Sequence, residues 1–93
     1  MKISNAQLAA ATFDDQERGL IAWIRFVIDD TLVVDGVALR VTDDGRRTLS
    51  FPERRDSSGR AHPFLRPFDD RARREIEAQV FQALGFPGGA STP

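Results

Sequence analysis

The sequence predicts an α+β domain, a four-stranded antiparallel β-meander followed by one C-terminal α-helix. Three observations predict it. Apolar residues alternate with period two through Gly19–Asp30 and again at Val37, Leu39 and Val41, the signature of strands with one face buried. Turn-forming residues, Asp29-Asp30-Thr31 and Asp43-Asp44-Gly45, separate these runs at hairpin spacing. After residue 69 the period changes, and Ala72, Ile76, Val80, Ala83 and Leu84 recur at the three-to-four spacing of an amphipathic helix.

Residues 2–13 alternate loosely through Ile3, Ala6, Leu8 and Ala10 and read as the first strand, and Asp14–Glu17 reads as a polar turn. Gly19–Asp30 is the strongest strand. Leu20, Ala22, Ile24, Phe26 and Ile28 form a wholly apolar face that should meet the helix, and Trp23 and Arg25 lie on the mixed opposite face. There Trp23 reads as a packing or dimer contact, with base stacking as the alternative. The third strand starts at Leu32, and Gly36 inside it signals a bulge or bend. Thr48–Phe51 is the fourth strand, ended by Pro52. Glu53–Ala61 reads as a mobile loop with Ser57-Ser58-Gly59 at its tip. Phe64 and Phe68 are expected to anchor the following irregular segment to the core. Asp69 or Asp70 caps a helix running to about Leu84, where Gly85 and Pro87 stop it. Four i,i+4 pairs are available on that helix: Asp69–Arg73, Asp70–Arg74, Arg71–Glu75 and Arg73–Glu77.

Residues 1–85 thus form one domain, and residues 86–93 read as a disordered tail. A 93-residue chain buries a modest share of its surface, and without cysteine neither a disulfide nor a thiolate metal site can reinforce it. Oligomerisation is the remaining usual remedy, so a homodimer is expected. The longest apolar run, Leu20–Ile24, is too short to span a bilayer, and the N-terminal stretch has no apolar h-region, so no membrane contact or signal peptide is expected and the cytoplasm is the expected compartment. The net charge of −1 conceals an asymmetry. Residues 46–74 hold nine arginines against four acids, a local +5, and the rest of the chain carries −6. A polyanion responds to the local field, not to the total.

The order of several segments resembles the SpoVG family of bacterial septation and sporulation regulators. LVVDGVALRVTDDG resembles that family's strand and hairpin. LSFPERR resembles its strand end, where an apolar-Pro pair precedes a polar residue and two basic ones. SSGRAHP resembles its loop closing on His-Pro, and RARREIEAQVFQAL stands in the place of its C-terminal helix. LIAWIRFVIDD fits its second strand, so residues 1–85 are covered in order. The chain departs from the family at Phe51, where methionine is common, and at Ala61, where a short polar stretch is usual. The resemblance implies an antiparallel sheet with a C-terminal helix, a homodimer formed partly through sheet contacts, and site-preferring binding to DNA and possibly RNA. Carried over, the basic pair is Arg54-Arg55, the basic loop residue is Arg60, and His62-Pro63 is the His-Pro.

The residues themselves suit that chemistry. Guanidinium groups fork onto phosphate oxygens or guanine edges. Arg54, Arg55 and Arg60 flank a loop, and Arg71 and Arg74 on the helix start extend the basic strip. The bland alternative for each is a solvated side chain or a salt bridge. His62, the lone histidine, reads as a structural hydrogen-bonding residue to backbone. The paired aspartates are accounted for by turns and capping, without metal. No nucleophile–base constellation and no phosphate-binding glycine loop is present, so no catalytic residue, cofactor or small-molecule substrate is expected. The expected function is dimeric, non-enzymatic nucleic-acid regulation through the 53–61 loop and the helix start. The competing expectation is a protein-interaction adaptor that uses the sheet face or edge.

Overall fold

A computed structural model describes residues 1–86. The elements run β1 (Ile3–Ala10), α1 (Phe13–Glu17), β2 (Leu20–Ile28), β3 (Leu32–Val41), β4 (Arg47–Ser50), β5 (Glu53–Arg55), β6 (Ala61–Pro63) and α2 (Asp70–Ala83). The first four strands form an antiparallel sheet in the order β1-β2-β3-β4, and β5 and β6 pair as a separate two-stranded sheet. The α+β class, the meander and the C-terminal helix are therefore as the sequence predicts. Beyond Phe86, the expected tail lies outside the described residues. Phe86 itself packs on Phe81, with ring centroids 5.6 Å apart, and Arg47 lies 4.5 Å above its ring.

Alternation on β2 decides the core. Ala22, Ile24 and Phe26 are buried with Val34, Val37, Leu39 and Leu49 of the neighbouring strands and Val80 and Phe81 of α2. Leu20 departs from this face. Pairing with β3 shifts register between Leu20 and Ala22, and Leu20 instead joins Ala11 and Ala38 in a small second cluster. Three residues, Asp29–Thr31, connect Ile28 to its partner Leu32; Asp29 and Asp30 take positive φ, 51° and 53°, and the Thr31 N–H donates to the Ile28 carbonyl at 2.9 Å. The Asp29 carboxylate accepts from the Lys2 backbone N–H at 2.6 Å, tying the turn to the start of β1.

Four expectations need correction. Asp14–Glu17 is not a turn but most of α1. The Thr12 hydroxyl accepts from the Asp15 N–H, and this cap is enough to start a single helical turn. Residues 53–61 are not an open loop, because β5 and β6 pair across them with Arg54 opposite His62. Phe64 and Phe68 do not anchor the following segment. They are 68% and 95% exposed, and Leu65 and Phe51 pack against the core instead. Ala83 is exposed, while Glu77 and Phe81, one residue to the side of the expected stripe, are buried. Asp69 is the helix cap, accepting from the Ala72 N–H at 2.8 Å, and among the described residues only Arg73–Glu77 of the four helix pairs forms, at 3.6 Å.

The burial of Glu77 has a specific cause. β4 is the last strand of its sheet, and its outward backbone groups need partners. The Glu77 carboxylate accepts from the Leu49 N–H at 3.0 Å and the Thr48 hydroxyl at 3.2 Å. Arg73 donates to the Leu49 carbonyl at 2.7 Å. At the opposite edge, Gln79 accepts from the Ile3 N–H at 3.1 Å and donates to the Met1 carbonyl at 3.3 Å. One helix thus supplies side chains to both edges of the sheet.

Removing the Glu77 acceptor leaves the buried Leu49 N–H without a partner. Glu77→Ala is expected to lower the unfolding free energy by about 2 kcal/mol, and Glu77→Gln by less. Arg74→Ala, on the solvent side of α2, should change it by no more than about 0.5 kcal/mol. Urea denaturation checks all three, with a lowered midpoint at unchanged slope for the Glu77 variants.

Candidate functional site

The strands of the β5–β6 hairpin, Glu-Arg-Arg and Ala-His-Pro, are exposed along their whole length. A two-stranded hairpin without an apolar face is marginal alone, so its order must come from its turn. Asp56 provides that order. Its Oδ1 accepts from the Ser58 N–H at 2.9 Å, the Ser58 hydroxyl at 2.6 Å and the Arg60 N–H at 3.0 Å. Its Oδ2 lies 2.8 Å from Nε2 of His62. The Gly59 N–H donates to the Asp56 carbonyl at 3.0 Å, and Gly59 takes φ of 86°, a conformation open to glycine at little cost.

This hub has an electrostatic consequence. Hydrogen bonds from the Ser58 side chain first, then from His62 and the Arg60 backbone, hold the Asp56 carboxyl down at about 2, against an ordinary value of 3.8. The same wiring limits what the cluster can do chemically. Ser58 and His62 both bind the carboxylate and not each other. Nucleophile activation needs the imidazole between hydroxyl and acid, so this arrangement serves to hold a turn. His62 accordingly makes its bond to a side-chain carboxylate and not to backbone as expected.

The hairpin places three of the five candidate arginines together. Successive strand residues point to opposite faces, so Arg54 shares a face with His62, and Arg55 shares one with Glu53. Arg55 is engaged: Nη1 donates to the Gly59 carbonyl at 2.9 Å, and Nη2 lies 3.9 Å from Glu53. Arg54 and Arg60 are exposed, and their guanidiniums have no ion pair or hydrogen bond among the described residues. Arg71 and Arg74 stand exposed on the first turns of α2, likewise without a partner among the described residues. No hydrogen bond or ion pair joins them to the hairpin. Between the two groups, Arg73 is taken up by Leu49 and Glu77.

Sequence reasoning missed Asp56 as the organising residue. Asp-Ser-Ser-Gly is an Asx-type turn signal closing on a glycine, and it was available at residues 56–59. Comparison with family models, with curated proteins and with solved structures finds nothing that matches this chain.

The pH dependence follows from the depressed carboxyl. A group lowered on folding stabilises the ordered hairpin fully above its unfolded value, and that contribution is lost as pH falls from 3.8 through about 2. Below about pH 4 the backbone amide resonances of Ser58 and Arg60 are expected to move together as the Asp56 carboxyl takes up its proton. Asp56→Ala should produce the same hairpin spectrum at neutral pH with the main-sheet resonances unchanged.

Proposed function

We propose that this protein is a non-enzymatic nucleic-acid-binding regulator that acts as a homodimer in the cytoplasm, binding DNA and possibly RNA. The observation that carries the reading is the β5–β6 hairpin: an exposed ribbon, ordered by Asp56, that presents Arg54 and Arg60 unpaired among the described residues, beside Arg55. A two-stranded ribbon has dimensions that the major groove admits, and arginine bonds both phosphates and guanine edges. Arg71 and Arg74 add charge from the helix start. The +5 balance of residues 46–74 supports the reading, as does the resemblance to the SpoVG regulators. No helix among the described residues is long and apolar enough to cross a membrane.

The dimer has support of its own. Leu32, Val33, Phe64 and Phe68 leave large apolar side chains in water, which a second copy would cover. The same exposed side chains favour the competing reading of a protein-interaction adaptor, in which the arginines only keep the surface solvated.

Fluorescence anisotropy of labelled duplex DNA and RNA separates the two readings. Binding is expected to weaken steeply with salt. The double change Arg54→Ala/Arg60→Ala should weaken it on every sequence and flatten the log-log salt slope by about 2, roughly one unit per lost phosphate contact. Salt-insensitive binding, or a slope unchanged by the double substitution, would place the arginines outside the interface.

A further inference from the structure

The outer face of the sheet, opposite α2, is hollowed beside Trp23. Trp23 pairs across the strands with Ala38, and Ala38 with Ser50, so a large side chain is followed by two small ones along one row. Gly36 borders the same space, and a Cβ added there would meet nothing within 4 Å. On the far side Phe51, Pro52 and Leu65 raise a wall where the chain leaves β4 and returns from the hairpin. The result is an open groove of about 600 Å³, within the size range of sites for small organic groups. Trp23 remains 44% exposed in it, although it is the largest side chain of the sheet.

The rim is cationic. Arg40, Arg66 and Arg73 line the groove, with Glu53 the one acid among its lining residues. Arg73 is committed to Leu49 and Glu77, and Glu53 faces Arg55 at 3.9 Å. Arg40 and Arg66 are exposed and have no ion pair among the described residues. A flat indole and two uncommitted guanidiniums lining one groove suit one occupant chemically: a planar heteroaromatic ring joined to an anion. Base–aromatic stacking with arginines on the adjoining phosphates is how sequence-tolerant single-strand binders hold a base.

We propose that this groove takes an unpaired nucleotide of a single-stranded nucleic acid, its base stacked on Trp23 and its flanking phosphates held by Arg40 and Arg66. The inference rests on the nucleic-acid reading above and adds to it a second contact surface, distinct from the hairpin arginines and specific for unpaired bases. A paired base keeps its faces inside the duplex stack, so the groove discriminates single strands from duplex.

The chain reports on the groove directly, because Trp23 is its one tryptophan and it has no tyrosine. The experiment titrates the full chain with a short oligothymidylate, with an abasic oligomer of the same length and with a blunt duplex. Tryptophan emission and the anisotropy of the labelled strands are read together. Oligothymidylate is expected to quench Trp23, and the abasic oligomer to bind without quenching. Trp23→Ala and Arg40→Ala/Arg66→Ala should each weaken oligothymidylate binding by about tenfold with duplex binding unchanged, and Trp23→Phe should recover part of the loss. Equal quenching by the abasic oligomer overturns the proposal, as does salt-sensitive binding of every strand with no change in emission. The latter leaves the hairpin reading standing. No anisotropy change with any strand removes both readings. Emission that shifts with protein concentration alone assigns the groove to a second copy of the chain and overturns its assignment to a nucleotide.

Discussion

The sheet depends on the side chains with which α2 stands in for its missing neighbours. A four-stranded sheet has two open edges, and unpaired backbone groups there cost stability and invite aggregation. Glu77 and Arg73 bond the N–H and the carbonyl of Leu49 at one edge, and Gln79 bonds Ile3 and Met1 at the other. Between them Val80 and Phe81 fill the space over Ile24, Phe26 and Leu39. Hydrophobic burial supplies most of the driving force. The polar bonds fix where on the sheet the helix lies, because moving it by one turn would strand a buried carboxylate. The arrangement is costly for a domain of this size and leaves little room for substitution at Glu77.

That fixed helix also sets what the rest of the chain can present. Because Arg73 is drawn down onto β4, Arg71 and Arg74 on neighbouring positions face solvent. Because the last strand is held at Leu49, the chain leaves it at Phe51-Pro52 in a defined direction and runs into β5. The hairpin beyond has no core of its own. Asp56 replaces one, collecting two backbone N–H groups, a hydroxyl and an imidazole nitrogen at a single carboxylate. Strand residues held this way project side chains at fixed spacing, and arginines so presented lose less freedom on binding than arginines on a mobile loop.

Much of this was legible in the sequence, and the gaps have physical causes. Period-two alternation in Leu20–Ile28 and Val37–Val41 marks strands because burial on one face demands it, and a helix cap at Asp69 or Asp70 follows from the residue type. β5 and β6 were hidden because a hairpin of Glu, Arg, Ala and His has no hydrophobic period to read, so only its turn residues betray it. The expected anchors Phe64 and Phe68 misled because apolar character does not determine which way an extended segment faces, and Leu65 took the inward position. Glu77 was unreadable for a different reason. A carboxylate in an amphipathic stripe looks like surface until the β4 edge it serves is placed beside it. Of the candidate site, Arg54, Arg55 and Arg60 do share one hairpin, whereas the lack of any bond from Arg71 or Arg74 to that hairpin among the described residues is a tertiary fact with no local signature.

A titration of isotope-labelled protein with nucleic acid, followed residue by residue in amide correlation spectra, tests the central claim most directly. The account predicts that perturbations at low salt concentrate in residues 53–63, in the groove beside Trp23 and at Arg71 and Arg74, and that they collapse as salt is raised. Perturbations confined to β1 and α1, or none at all with nucleic acid in excess, would contradict it.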